Sequence, residues 1–181
     1  MILLMGIAGS GKGTQGKMLA DQFNYHLFSM GDVLRMYLTG EQRERILAGN
    51  LLGDKEVIEI VDKLLDAIPD EEGIILDGFP RTIPQAEWLL AQSKTGRFKL
   101  SLAVHLVATN EAVKARLIKR ARIDDNEDAI EKRFAEYEKS TMPLIRWLNT
   151  NGVKVYDINA EQPVENVNQK IISTLKENNI N

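Results

Sequence analysis

The chain has 181 residues, 44% hydrophobic and 27% charged, which suits one globular domain with a core of its own and excludes the disordered and membrane classes. Its 23 basic and 26 acidic side chains give a formal net charge of -3, which argues against a general binder of nucleic acid or membrane surfaces, so any anion site must be built locally. Cysteine is absent, which excludes disulfides and thiolate metal centres and suits a reducing, cytoplasmic setting.

Ile2 to Gly6 is apolar, lacks the basic flank of a leader and runs straight into a glycine loop, so it predicts a buried first strand. The loop Gly6-Ile7-Ala8-Gly9-Ser10-Gly11-Lys12-Gly13-Thr14 matches the phosphate-binding pattern G-x-x-x-x-G-K-[ST], except that Gly13 separates Lys12 from Thr14. A helix over Lys12 to Phe23 follows. Loop amides and the helix N-terminus can then converge on a polyanion, with Gly9, Ser10, Gly11 and Gly13 allowing close backbone approach. Lys12 is placed for the β and γ phosphates of a nucleotide such as ATP, and Thr14 for Mg²⁺.

Further on, the periodicity predicts a strand at His26 to Ser29 and helices over Asp32 to Leu38, Gln42 to Ala48 and Lys55 to Ala67, with Asp54 as N-cap of the last. Gly73 to Leu76 reads as a buried strand ending beside Asp77, a carboxylate in the Walker B position that can serve Mg²⁺ or its waters. Arg81 stands on a proline-stiffened turn at the carboxyl end of that strand, where ligands of open α/β sheets collect. A helix at Pro84 to Ala91, a strand at Leu102 to Val107 and a helix at Glu111 to Lys119 come next, the last capped by Thr109 or Asn110. The helical stretch Glu127 to Asn149 should kink or break around Thr141 to Pro143, because proline cannot donate to the helix ladder. A strand at Val153 to Ile158 and a helix at Val164 to Asn178 complete the pattern. Strands alternating with helices predict an α/β class with a five-stranded parallel sheet. His26 and His105 read as packed, hydrogen-bonded residues, and Trp88 and Trp147 as core or partly buried anchors.

Gly11-Lys12-Gly13-Thr14-Gln15 resembles the start of adenylate kinases and their relatives among nucleoside monophosphate kinases. His26-Leu27-Phe28-Ser29-Met30-Gly31-Asp32-Val33-Leu34-Arg35 is similar to the family segment ending in an arginine that binds the monophosphate. Asp77-Gly78-Phe79-Pro80-Arg81-Thr82-Ile83-Pro84-Gln85-Ala86 is similar to the family's most specific signature. The resemblance implies a P-loop NTPase fold, a helical monophosphate-binding insertion over about residues 30–65, and the reversible reaction Mg·ATP + AMP ⇌ Mg·ADP + ADP. It also implies that Arg35 and Arg81 grip the acceptor phosphate, that Gln85 reads the base, and that Met30, Gly31, Leu52, Val57 and Gly78 line the acceptor pocket.

Lys119-Arg120-Ala121-Arg122-Ile123-Asp124-Asp125-Asn126-Glu127 resembles the flanks of the family's lid. By the same resemblance Arg120, Arg122 and Arg133 clamp the transferring group, and Arg116 stacks on the donor base. No side-chain nucleophile or catalytic base is expected, since fixed cations and amides supply most of phosphoryl-transfer catalysis.

Three departures stand out. Only Ala121 separates Arg120 from Arg122, leaving a vestigial lid at about residues 120–124; Met30 replaces a threonine common beside the acceptor base; Ala8 replaces a loop proline. Rival readings are a UMP/CMP-type monophosphate kinase and a non-catalytic or hydrolytic ATP-binding module. The expected partners are ATP, AMP and ADP, with no nucleic acid or membrane, and the chain is expected to act as a monomer.

Overall fold

A computed structural model describes residues 1–48, 52–68, 73–122 and 125–180. Among them five strands form one parallel sheet, β1 (Ile2–Gly6), β2 (His26–Ser29), β3 (Ile74–Asp77), β4 (Leu102–Val107) and β5 (Val155–Asn159), in the order β2-β3-β1-β4-β5. Central β1 pairs Ile2 with Ile75 and Leu102, and Gly6 with Leu106. Every strand ends at the same edge, which gathers the phosphate loop, Ser29 and Asp77 at one rim.

Alternating residues of β1 enter opposite layers. Leu3 and Met5 join the core beneath α2 (Met30–Tyr37), α4 (Asp54–Asp66), α5 (Ile83–Lys94) and α8 (Met142–Thr150). Ile2 and Leu4 join the core beneath α1 (Lys12–Phe23) and α9 (Val164–Glu177). Residues 2–4 are fully buried, each side chain contributing roughly 1.5–3 kcal/mol by leaving water. A smaller cluster of Ile7, Val113, Leu117, Ile130 and Phe134 seats α6 (Asn110–Arg120) and α7 (Glu127–Glu136) against the loop. Between α2 and α4 lies the short α3 (Gly40–Leu47).

The expected strands and helices are all present, with three local differences. Asp54 does not cap α4: Gly53 holds that position, its N–H donating to Glu56 Oε2 at 3.2 Å, while the Asp54 carboxylate turns to Thr82 and Gln85. The break near Pro143 is a π-turn over Tyr137–Thr141, in which the N–H of Met142 reaches back to Tyr137 O, and α8 starts just before the proline. His26 is exposed at the start of β2 rather than packed, whereas His105 is buried between Asp157 and Tyr137. Thr109 caps α6 as expected, accepting from Ala112 N at 3.3 Å, and Trp88 and Trp147 pack partly buried against the core. Ile123 and Asp124, at the end of the expected vestigial lid, and residues 49–51 of the expected insertion lie outside the described residues.

Candidate active site

The turn from β1 into α1 depends on backbone that other residues resist. Gly6 has φ +139°, and a Cβ there would come within 2.6 Å of Leu106 O; Gly11, at φ +100°, forms the N-cap position of α1. The loop closes on itself through Ser10 N donating to Ile7 O at 3.1 Å, and the Lys12 ammonium folds back to Gly6 O at 2.8 Å and Ile7 O at 3.0 Å. Burial lowers the Lys12 pKa to about 8; Asp77 counters part of that fall, and Arg81 and Arg120 add to it. Among the described residues Ser10 Oγ is buried without a hydrogen-bond partner, a state that an added polar group in the loop would relieve. Thr14 is exposed on the first turn of α1, and a Cβ on Gly13 would lie 3.8 Å from Asp77 Oδ2, so the loop and the end of β3 face each other closely.

Arg81 is fixed at both ends. Its Nε donates to Gly78 O at 2.8 Å, and its backbone N donates to Gln85 Oε1 at the same distance. Burial lowers its pKa, with Asp77 opposing and Arg133 and Arg35 reinforcing, yet a guanidinium stays charged under all ordinary conditions. Thr82 caps α5 by accepting from Gln85 N, and Pro84 sits in the first turn, so the chain beyond Arg81 enters a helix whose start is well defined.

On the opposite wall the cations are gathered by one carboxylate. Asp125, its side chain 1% exposed, accepts from Arg120 Nε at 2.8 Å, Arg120 Nη2 at 2.7 Å, Arg133 Nη1 at 3.3 Å and Arg122 N at 3.1 Å. Burial acts to raise its pKa, but the bonds from Arg120 and Arg122 and the nearby charges hold it below the usual carboxylate range. Ala121, between the two arginines, ends α6 in the left-handed region at φ +53°. Arg116 Nη2 donates to Ala160 O at 2.8 Å, tying α6 to the loop after β5.

One cleft of about 760 Å³ is lined by Gly6 to Thr14, Gly31, Arg35, Asp77, Gly78, Arg81, Arg116, Arg120, Arg122 and Arg133. A separate apolar pocket of about 20 Å³ shares Leu34, Gly78 and Arg81 with it and is lined further by Met30, Leu52, Val57 and Gln85. The expected site residues therefore line two neighbouring cavities that share Leu34, Gly78 and Arg81. The role of Asp125 is not apparent from the sequence, where it sits in a charged stretch like any solvated helix face; the interspersion of acids among the basic residues of 116–133 is the available signal.

The family model described as adenylate kinase matches residues 4–153. The chain belongs to the adenylate kinase family. Adenylate kinase of Phocaeicola vulgatus is 38% identical over 161 residues, covering 83% of this chain and 85% of the relative. Adenylate kinase of Bacteroides fragilis is 35% identical over 180 residues, covering 94% and 95%, and that of Corynebacterium urealyticum 32% over 180 residues, covering 96% and 98%. As a member of this family the chain is a phosphotransferase, and its five-stranded parallel sheet with a strand-loop-helix phosphate site is the fold that goes with that chemistry. No helix among the described residues is long and apolar enough to cross a membrane.

Proposed function

We propose that this cleft carries out Mg·ATP + AMP ⇌ Mg·ADP + ADP, with the donor triphosphate along Gly9 to Thr14 and the acceptor between Arg35, Arg81 and the Gln85 pocket. The observation that supports the reading is that Arg81 and Gly78 line both the phosphate-loop cleft and the small Gln85 pocket, so the two lie side by side. A protein that only sensed ATP would have no use for cations at the acceptor end. Lys12 draws charge from the β and γ phosphates, while Arg120, Arg122 and Arg133 face the equatorial oxygens of the transferring group. Arg116 presents its guanidinium plane to the donor base.

Bound with the triphosphate, Mg²⁺ would supply neutralisation of phosphate charge. Thr14 Oγ1 and the Asp77 carboxylate are the hard oxygen ligands suited to hold it, directly or through water. Among the described residues no three His, Cys, Asp or Glu side chains converge to hold a metal, so phosphate oxygens and water would supply most of its shell. We further propose that the chain works as a cytoplasmic monomer, with a single sedimenting species as the check. The test of the reaction offers Mg·ATP with AMP, CMP, UMP or GMP singly, beside a control without acceptor. Two ADP per ATP consumed with AMP alone supports the proposal. Turnover with CMP or UMP in its place, or hydrolysis indifferent to acceptor, rejects it.

A further inference from the structure

Gln85 is 2% exposed, and its side-chain amide is held by two groups of opposite character. The Arg81 N–H can only donate, and it donates to Oε1 at 2.8 Å; the Asp54 carboxylate can only accept, and it accepts from Nε2 at 2.9 Å. The same Asp54 Oδ1 accepts from Thr82 Oγ1 at 2.6 Å, which steadies it from a second direction. Turning the amide by a half-rotation would set its oxygen against a carboxylate and its NH₂ against an N–H. Its orientation is therefore fixed by chemistry as well as by packing.

An amide forms up to four hydrogen bonds, and among the described residues two of these are made. One N–H and one oxygen lone pair remain for a ligand in the pocket that Gln85 lines with Met30, Leu52 and Val57. A 6-aminopurine presents an amino donor beside a ring-nitrogen acceptor; a 6-oxopurine presents the reverse order. An amide free to turn would match either edge. A locked amide, with the ring position set by the apolar walls, matches one.

We propose that Asp54 is a positioning residue that sets acceptor selectivity, holding Gln85 so that a 6-aminopurine monophosphate is taken in preference to a 6-oxopurine monophosphate. The inference rests on the reading that Gln85 faces the acceptor base. The test compares kcat/KM for AMP and for IMP, at saturating Mg·ATP, in the unaltered protein and in Asp54→Asn. The Asn side chain keeps the shape but accepts or donates equally well. The AMP-to-IMP ratio should fall about tenfold, the magnitude of one misplaced hydrogen bond, through a raised KM for AMP with a smaller change in kcat. An unchanged ratio, or a parallel fall for both acceptors, overturns it.

If Asp54→Asn does not fold, the ¹⁵N spectrum of the unaltered protein decides. Gln85 Nε2 protons that exchange slowly with solvent, one of which shifts on adding AMP and not on adding IMP, support the lock; exchange as fast as that of a solvated side-chain amide, or equal shifts with both nucleotides, refute it. Absence of AMP turnover in the unaltered protein would instead defeat the functional reading on which this inference stands.

Discussion

Arg122 Nη1 lies 3.6 Å from Asp32 Oδ1, while the same carboxylate oxygen accepts from Arg35 at 2.6 Å. One acid on α2 thus touches a cation from each side of the cleft. Burial acts to raise the pKa of Asp32, but the bond from Arg35 and the charges of Arg35 and Arg122 hold it below the ordinary value, so it is a carboxylate at neutral pH. On the proposed reading it competes with substrate phosphate oxygens for both guanidiniums. Asp32→Asn should lower the KM for AMP by about two- to fivefold, in keeping with a part-exposed ion pair, and should leave the KM for ATP nearly constant. Steady-state kinetics with each substrate varied checks this; a raised KM for AMP would mean that Asp32 orients Arg35 rather than competing for it.

Arg81 sits where the two parts of the site meet. Arg81→Ala should reduce kcat/KM for AMP by about 100-fold or more through lost charge stabilisation, with the ATP dissociation constant altered by no more than about threefold. Calorimetric ATP titration beside the kinetics separates the two. Equal damage to both substrates would remove Arg81 from the acceptor subsite.

Lys12 supplies the pH dependence. Its pKa is about 8 in the folded chain against an ordinary 10.5, so between those values the unfolded chain holds a proton that the folded chain has released. Stability without nucleotide should therefore rise, as far as this group is concerned, when pH climbs from about 8 toward 10.5. A triphosphate favours the ammonium, so ATP binding above about pH 8 should take up a proton. Titration calorimetry in buffers of different ionisation enthalpy measures that uptake, and Lys12→Met should abolish it along with phosphoryl transfer.

Arg97 fastens α4 to the segment after α5. It donates to Asp62 Oδ1 at 2.5 Å, Asp62 O at 2.9 Å and Gln92 Oε1 at 3.2 Å, and it is also paired with Asp66. Both acids are largely solvated, so screening discounts the network, and Arg97→Met should cost about 1 kcal/mol. Urea denaturation at low and high salt checks the size, with the difference from the unaltered protein shrinking at high salt.

If the single Ala121 between Arg120 and Arg122 stands in place of a lid, as the family resemblance implies, the cleft should admit water more readily. Phosphate release from Mg·ATP without acceptor is expected to be measurable and to fall when a glycine-containing loop is inserted at Ala121. A background indistinguishable from buffer would show that Arg120, Arg122 and Arg133, gathered by Asp125, exclude water on their own.

The strand-loop-helix frame around the glycine loop and the turn after β3 could be read from the chain because each is written in contiguous residues: β1, the glycine loop and α1 lie within residues 2–23, and Asp77 to Gln85 form one run. What could not be read depends on docking between distant segments. Asp54 looks like a helix cap because an acid before an apolar period usually is one; only the approach of α4 to α5 offers it Thr82 and Gln85, 28 and 31 residues away. The tie from His105 Nδ1 to Asp157 at 2.7 Å follows from β4 and β5 being neighbours in register, and no local spacing encodes it. Pro143 announces a disturbance in the helix, but not that the backbone absorbs it by widening a turn ahead of the ring.

That widened turn has a consequence for how the chain can vary. Upstream, α7 commits Ile130 and Phe134 to the cluster beside the phosphate loop; downstream, α8 commits Leu144, Ile145 and Leu148 to the main core. The five residues Tyr137–Thr141 set the rotational phase between those commitments, while the Tyr137 hydroxyl stays 2.5 Å from His105 Nε2. Removing any one of them would turn α8 by about 100° relative to α7 and carry Leu144 and Leu148 out of the core. Their side chains can be exchanged far more freely than their number, so among related sequences this stretch should drift in identity while keeping its length.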